Sequence, residues 1–267
     1  MTAVIDPYAP PRQYSPVRFL HRLNPLSKIA APLPAMVYLI FARDLASPFA
    51  FLMLALVLLA VGAHVSARLA LAIVVGLPVA VGVLAVSFGL WTDVALVDQS
   101  IVLFQVGDYR FYFGSFVAGL TTSLRLVALL SLTLLSGLTT TGPDLVRSMV
   151  QQLRVPYRIG YTALAAFRFV PRFGHELQVI RSAHRVRGMT GGRGPIAGIR
   201  RYLGYVVPLL AGAIRHAERV ALAMDARAFG AHRTRTERYI VPFRARDWAF
   251  IALFWVASAA IVLITTR

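Results

Sequence analysis

Arginine is the one reactive side chain this sequence supplies both in quantity and in a telling arrangement. The 267 residues carry 28 Lys+Arg against 11 Asp+Glu, and Lys28 is the only lysine. Two arginines stand apart by position: Arg187, set between Val186 and Gly188, and Arg227, set between Ala226 and Ala228, each close to the end of a long helical pattern. A guanidinium in the last turn of a helix, beside a residue with little or no side chain, is unshielded and free to enter an acidic groove on a partner. Other chemistries lack their parts. Cys is absent, which removes disulfide frameworks, zinc knuckles and thiol nucleophiles. His21, His64, His175, His184, His216 and His232 form no His-x-x-x-His pair and the acids are scattered singly, so no catalytic residue, metal ligand or cofactor site is expected. A phosphate-cradling loop needs Gly-Lys followed by Ser or Thr, whereas Lys28 follows Ser27 and precedes Ile29. The chain is therefore not expected to be an enzyme or to hydrolyse ATP itself.

The elements that must position these arginines are set by apolarity. With 58% apolar and 15% charged residues and a mean hydropathy of +0.67, the composition predicts a bilayer as solvent and excludes a disordered basic chain. The start, with Asp6 and Pro7, Pro10, Pro11 and Pro16, lacks an apolar run, so no cleaved signal peptide is expected. Leu45 to Ala63, Leu69 to Trp91 and Trp248 to Thr266 carry no charge, and Gly114 to Leu138 carries only Arg125. Each approaches the roughly 20 residues that cross a hydrocarbon core. Ile29 to Ala42 is shorter, with Pro32 and Pro34 near its start; it forms either a short tilted span or a re-entrant pair with the next segment, and five spans is the preferred count.

Charge gives the orientation. Residues 139 to 246 hold 19 Arg against five acids, while Thr92 to Phe113 has Asp93, Asp98 and Asp108 against Arg110. Basic flanks stay cytoplasmic, so the first interval and the N-terminus are expected inside, the second interval and the C-terminus outside. The outer interval carries two β-rich runs around Gly107-Asp108 that suit a hairpin. Within the inner interval, Thr140-Thr141-Gly142-Pro143-Asp144 starts a short amphipathic helix. A second helix runs from near Pro156 to Arg187, with Pro171 expected to kink it and Gly188 to end it. A third follows the turn at Gly188 to Pro195. Its apolar stripe of Leu203, Val206, Val207, Leu210, Ile214, Ala217, Val220, Ala221, Met224 and Ala228 ends near Phe229-Gly230. The fold class predicted is all-α: a polytopic membrane protein with about five transmembrane helices and a cytoplasmic module of three amphipathic helices. Its boundaries are 1–28 for a cytoplasmic N-terminal segment, 29–138 for spans one to four, 139–246 for the module and 247–267 for the last span.

Pro156-Tyr157-Arg158-Ile159, Phe167-Arg168-Phe169-Val170-Pro171, Glu176-Leu177, Ile180-Arg181 and Ala183-His-Arg-Val-Arg187-Gly188 together resemble the transmembrane T component of energy-coupling factor transporters, ABC-type importers of vitamins and transition-metal ions. The family's two coupling motifs look like Val186-Arg187-Gly188 and Ala226-Arg227-Ala228. Leu23-Asn24-Pro25-Leu26-Ser27-Lys28 is similar to the family's Asp-Pro-Arg-Thr-Lys segment before the first span. Val186 replaces a usual alanine, and Asn24 stands where an acid is frequent. The resemblance implies two ABC ATPase subunits that seat the helix-end arginines, and a membrane S component that binds the cargo. It also implies a prokaryotic plasma membrane location. The remaining arginines suit solvent or anionic lipid headgroups better than nucleic acid, since no aromatic stacking set accompanies them. The alternative reading is a membrane-bound enzyme with a basic cytoplasmic helical domain.

Overall fold

Nine α-helices and one hairpin occur in the described residues of the computed structural model, which are 18–64, 66–93, 97–106, 109–188, 194–232 and 236–266. In chain order they are α1 (Pro25–Ala30), α2 (Leu33–Phe41), α3 (Ala46–Gly62), α4 (Ala67–Trp91), β1 (Val102–Val106), β2 (Tyr109–Tyr112), α5 (Phe113–Thr139), α6 (Gly142–Gln152), α7 (Tyr157–Val186), α8 (Pro195–Asp225) and α9 (Ala245–Thr265). The chain divides into two compact units, Met149–Ile240 forming one, Arg12–Ser148 with Val241–Arg267 the other. The N-terminal prolines, the Gly107-Asp108 turn and the linker residues 189–193 lie outside the described residues.

The unit of α1 to α5 and α9 is a membrane bundle. Helices α4, α5 and α9 are long and apolar enough to cross a bilayer, and Pro25–Phe41 and Ala46–Gly62 are shorter apolar helices. Apolar residues run all round α4, and Leu71, Val74, Val79, Val83 and Trp91 remain exposed, as expected of a surface meant for lipid rather than water. The core forms where small and branched residues of several helices meet: Leu39 of α2, Phe51, Ala55 and Leu59 of α3, Ala128, Leu132 and Leu135 of α5, and Ile251 and Phe254 of α9. The tightest approach is between α4 and α5. A Cβ placed on Gly119 would lie 2.1 Å from the Ala85 carbonyl oxygen and 2.6 Å from the Gly89 nitrogen, so the two backbones meet with no room for a side chain. Gly119→Ala is therefore expected to cost about 1–3 kcal/mol, seen as a lower thermal midpoint in detergent, with Gly137→Ala, which meets no neighbouring atom, as the unaffected control.

The two β-rich runs pair as an antiparallel hairpin. Val102 pairs with Tyr112 and Phe104 with Phe111 across an irregularity in register, and the two phenyl rings stack at 4.9 Å. Arg125, the charge inside α5, finds its partner on a neighbouring backbone: its guanidinium donates to the carbonyl of Ala42, the residue that ends α2. The last carbonyls of a helix have no partner within it and carry the negative end of its dipole, so a cation there satisfies both. Before α1, the His21 Nε2 accepts from the His64 backbone N–H at 2.9 Å. Burial, and then the charge of Lys28, hold its imidazole below the ordinary histidine range, which favours the neutral form that can accept.

Candidate functional site

In the Met149–Ile240 unit, α7 has 30 residues and α8 has 31. At a rise of about 1.5 Å per residue, each is roughly 45 Å long. They run antiparallel, as successive ring contacts along both helices require: Tyr157 meets Phe229 at 5.7 Å, Phe169 stacks on His216 at 4.4 Å, and His184 meets Tyr205 at 5.2 Å. His184 and His216 pack as aromatic partners between the two helices. Both helices continue through an internal proline, Pro171 and Pro208 respectively.

The two helix ends share one geometry. At the end of α7, Arg187 leaves the helical region with φ −76° and ψ 5°, and Gly188 follows at φ +69°. The Gly188 N–H donates to the Arg185 carbonyl at 3.1 Å. At the end of α8, Ala228 takes the left-handed position at φ +53°. Its N–H donates to the Asp225 carbonyl at 2.9 Å, and the next N–H, that of Phe229, reaches back to Met224 at 3.0 Å. That pair of bonds is the Schellman closure, in which a left-handed residue follows the cap. Arg187 and Arg227 therefore share one position relative to the turn: each is the residue just before the left-handed one. Both side chains are exposed, and Val186 is 88% exposed, so its extra bulk over alanine crowds nothing. Among the described residues neither guanidinium makes a hydrogen bond or an ion pair, unlike Arg147, which pairs with Asp144 at 2.9 Å.

The end of α8 is held from below by the start of α7. Arg158 donates to the Gly230 carbonyl and Tyr157 to that of His232, while the Tyr161 hydroxyl donates to Glu237 at 2.6 Å. Gly230 sits at φ +92°, and a Cβ there would lie 3.1 Å from the Arg158 Nε. The positive φ favours glycine, and a side chain there would also crowd Arg158. Nothing in the spacing of the sequence couples Tyr157, Arg158 and Tyr161 to a loop some 70 residues later; the excess of polar and aromatic groups around Pro156 was the available signal. Near the other end, Arg181, His184, Arg185, Arg201, Tyr202 and Tyr205 line a cavity of about 300 Å³, with the Arg181 guanidinium 5.8 Å from the centres of both tyrosine rings.

Asn24 sits just before α1. Its side-chain oxygen accepts the Leu26 N–H at 2.9 Å and so caps α1.

Comparison with known proteins places this arrangement. The family described as cobalt transport protein, CbiQ, matches residues 16–237. Among curated relatives, the energy-coupling factor transporter transmembrane protein EcfT of Bacillus subtilis is 28% identical over 65% of this chain and 69% of its own. The EcfT proteins of Bacillus selenitireducens and Limosilactobacillus fermentum are 24% and 28% identical over 91% and 90% of both chains. A putative ABC transporter ATP-binding protein of Bifidobacterium longum is 33% identical over 47% of this chain and 17% of its own length. With most of its length matched by the family, and with membrane helices and a paired-helix unit built as described, the chain belongs to the CbiQ family, the transmembrane T components of energy-coupling factor transporters.

Proposed function

We propose that this T component transmits work between a pair of ABC ATPase subunits and a substrate-binding S component that imports a vitamin or a transition-metal ion. The observation that carries the reading is the equivalence of Arg187 and Arg227. Each is the exposed residue just before a left-handed one, and they lie at opposite ends of an antiparallel pair, separated by about the 45 Å that a helix of this length spans. Two equivalent tips at two ends suit two copies of one kind of partner. Val186, Arg187 and Gly188 form one seat and Ala226, Arg227 and Ala228 the other, each guanidinium entering an acidic groove of one ATPase. Hydrolysis resides in those partners. The name of the Bifidobacterium longum relative, an ATP-binding protein with a stretch similar to nearly half of this chain, supports the partnership.

The module of residues 139–246 faces the cytoplasm, with the N-terminal segment 1–28 on the same side, spans one to four within 29–138, and the last span in 247–267 carrying the C-terminus outside. The charge asymmetry supports this orientation, and anionic headgroups of the inner leaflet neutralise much of the arginine excess. The arginine-lined cavity between α7 and α8 suits such headgroups. A reporter fused after Gly192 is expected to be active inside the cell and one after Gly107 outside; the reverse pattern would overturn the orientation. For the function itself, the intact chain purified from its native membrane should bring with it an ATPase pair and one small membrane protein. Purification with neither partner at physiological salt would end the reading.

A further inference from the structure

The membrane unit buries a cation and an anion that the coupling ends do not use. Lys28 is 2% exposed and Asp247 is fully buried, beside Asn24 and Ser27, also buried. The Lys28 Nζ donates to the Thr139 carbonyl at 2.8 Å, one of the free carbonyls at the end of α5. Asp247 accepts the Asn24 N–H on one oxygen and the Arg244 N–H on the other, each at 2.7 Å. Ser27 Oγ donates to the Asn24 carbonyl at 2.8 Å and lies 3.4 Å from the first of those carboxylate oxygens. The Asn24 amide is 3.4 Å from the carbonyls of Val241 and Pro242. The carboxylates whose fields act on Lys28 are Asp144 and Asp247.

The chain leaves the membrane unit after Ser148 and returns at Val241, so the Met149–Ile240 unit is joined to it by two covalent connections. One begins at Thr139; the other runs from Val241 to Asp247. Both are bonded to the same five residues, Asn24 to Lys28. Local capping does not need this. A serine or threonine would cap α9 and a glycine would end α5 without burying any charge. Burying two ions is costly and is offset only by full satisfaction in a single geometry, so what it adds is positional uniqueness.

We propose that Asn24, Lys28 and Asp247 form a clamp that fixes both connections to α1, so that displacement of the Met149–Ile240 unit is delivered to the membrane helices instead of being absorbed in slack chain. They are positioning residues. The transmission part of this proposal rests on the function proposed above; the clamp itself does not. Three variants test it: Lys28→Met, Asp247→Asn, and both together. Each single change removes one of the two opposite charges whose fields meet in this cluster, so each is expected to lower the thermal midpoint more than the double variant, which removes both.

Hydrogen exchange on the purified chain reads the clamp directly. The double variant is expected to exchange about tenfold faster in the last turn of α5 and at residues 243–247, with α7 and α8 unchanged. Unchanged exchange at both connections would overturn the clamp, whatever the ATPases do. Transmission is read on the native complex in nanodiscs of phosphatidylethanolamine and phosphatidylglycerol, with spin labels at Val57→Cys in α3 and Val256→Cys in α9, both exposed. The change in label separation between ADP and ATP-vanadate states should fall to less than about half in the double variant, with ATPases retained and hydrolysis within about twofold, as expected where lost coupling leaves the partners' own site intact. A full-size change in the double variant would overturn the transmission role. A wild-type chain that retains no ATPase would instead sink the function proposed above and leave the exchange result to decide the clamp.

Discussion

Reversing both helix-end charges, Arg187→Glu with Arg227→Glu, is expected to abolish recovery of ATPase subunits with the purified chain while leaving its membrane insertion and thermal midpoint unchanged. Both side chains are exposed and make no bond among the described residues, so the folded chain loses nothing with them. The partner loses a great deal. Removing one member of a desolvated charge pair costs about 2–5 kcal/mol, and reversal adds repulsion to that. Two such losses sum to about 4–10 kcal/mol, which weakens a complex by roughly three to seven powers of ten. Each single reversal should leave a weakened complex that dissociates faster and becomes more sensitive to salt. The test is quantitative recovery of ATPase at two salt concentrations. Undiminished recovery by the double variant would remove both arginines from the coupling role.

Gly230→Val is expected to have the next largest effect, and to act on one end alone. At φ +92° a β-branched residue is strained, and its Cβ would also press on the Arg158 side chain 3.1 Å away. The bond from Arg158 to the Gly230 carbonyl is charge-assisted, a class worth about 1.5–3 kcal/mol. Losing it frees the loop that follows Arg227 without touching Arg187. ATPase recovery should fall toward the level of Arg227→Glu alone, and adding Arg227→Glu to Gly230→Val should lower it little further. Additive losses would mean that Gly230 acts elsewhere. Ala228→Gly is the matched control: glycine takes the left-handed position more easily than alanine, so the end keeps its shape and recovery should hold.

Much of the bundle was legible in the sequence because hydrocarbon demands long uncharged runs, and α4, α5 and α9 fall where those runs lie. The end of α7 was legible for a different reason, since Gly188 signals a left-handed turn by its type. The matching turn after α8 was not, because Ala228 carries no such signal, and the apolar stripe led past it to Phe229. The start of that helix was legible too, since it follows the turn ending at Pro195 and the helix begins there. Arg125 resisted sequence reading because its partner is a backbone carbonyl, that of Ala42, and spacing records only side chains. The bonds of Asp247 to Asn24 and of Arg158 to Gly230 join residues 223 and 72 positions apart. No local pattern reports contacts at that range.

The burial of Lys28 also decides how this protein can be studied. Its one lysine is shielded in the folded chain and it has no cysteine. Amine-reactive cross-linkers applied to an intact assembly would thus find on this subunit only the α-amino group, and labelling elsewhere would report its neighbours. Any cysteine introduced as a probe site starts from zero background, without the removal of native thiols that usually precedes such work.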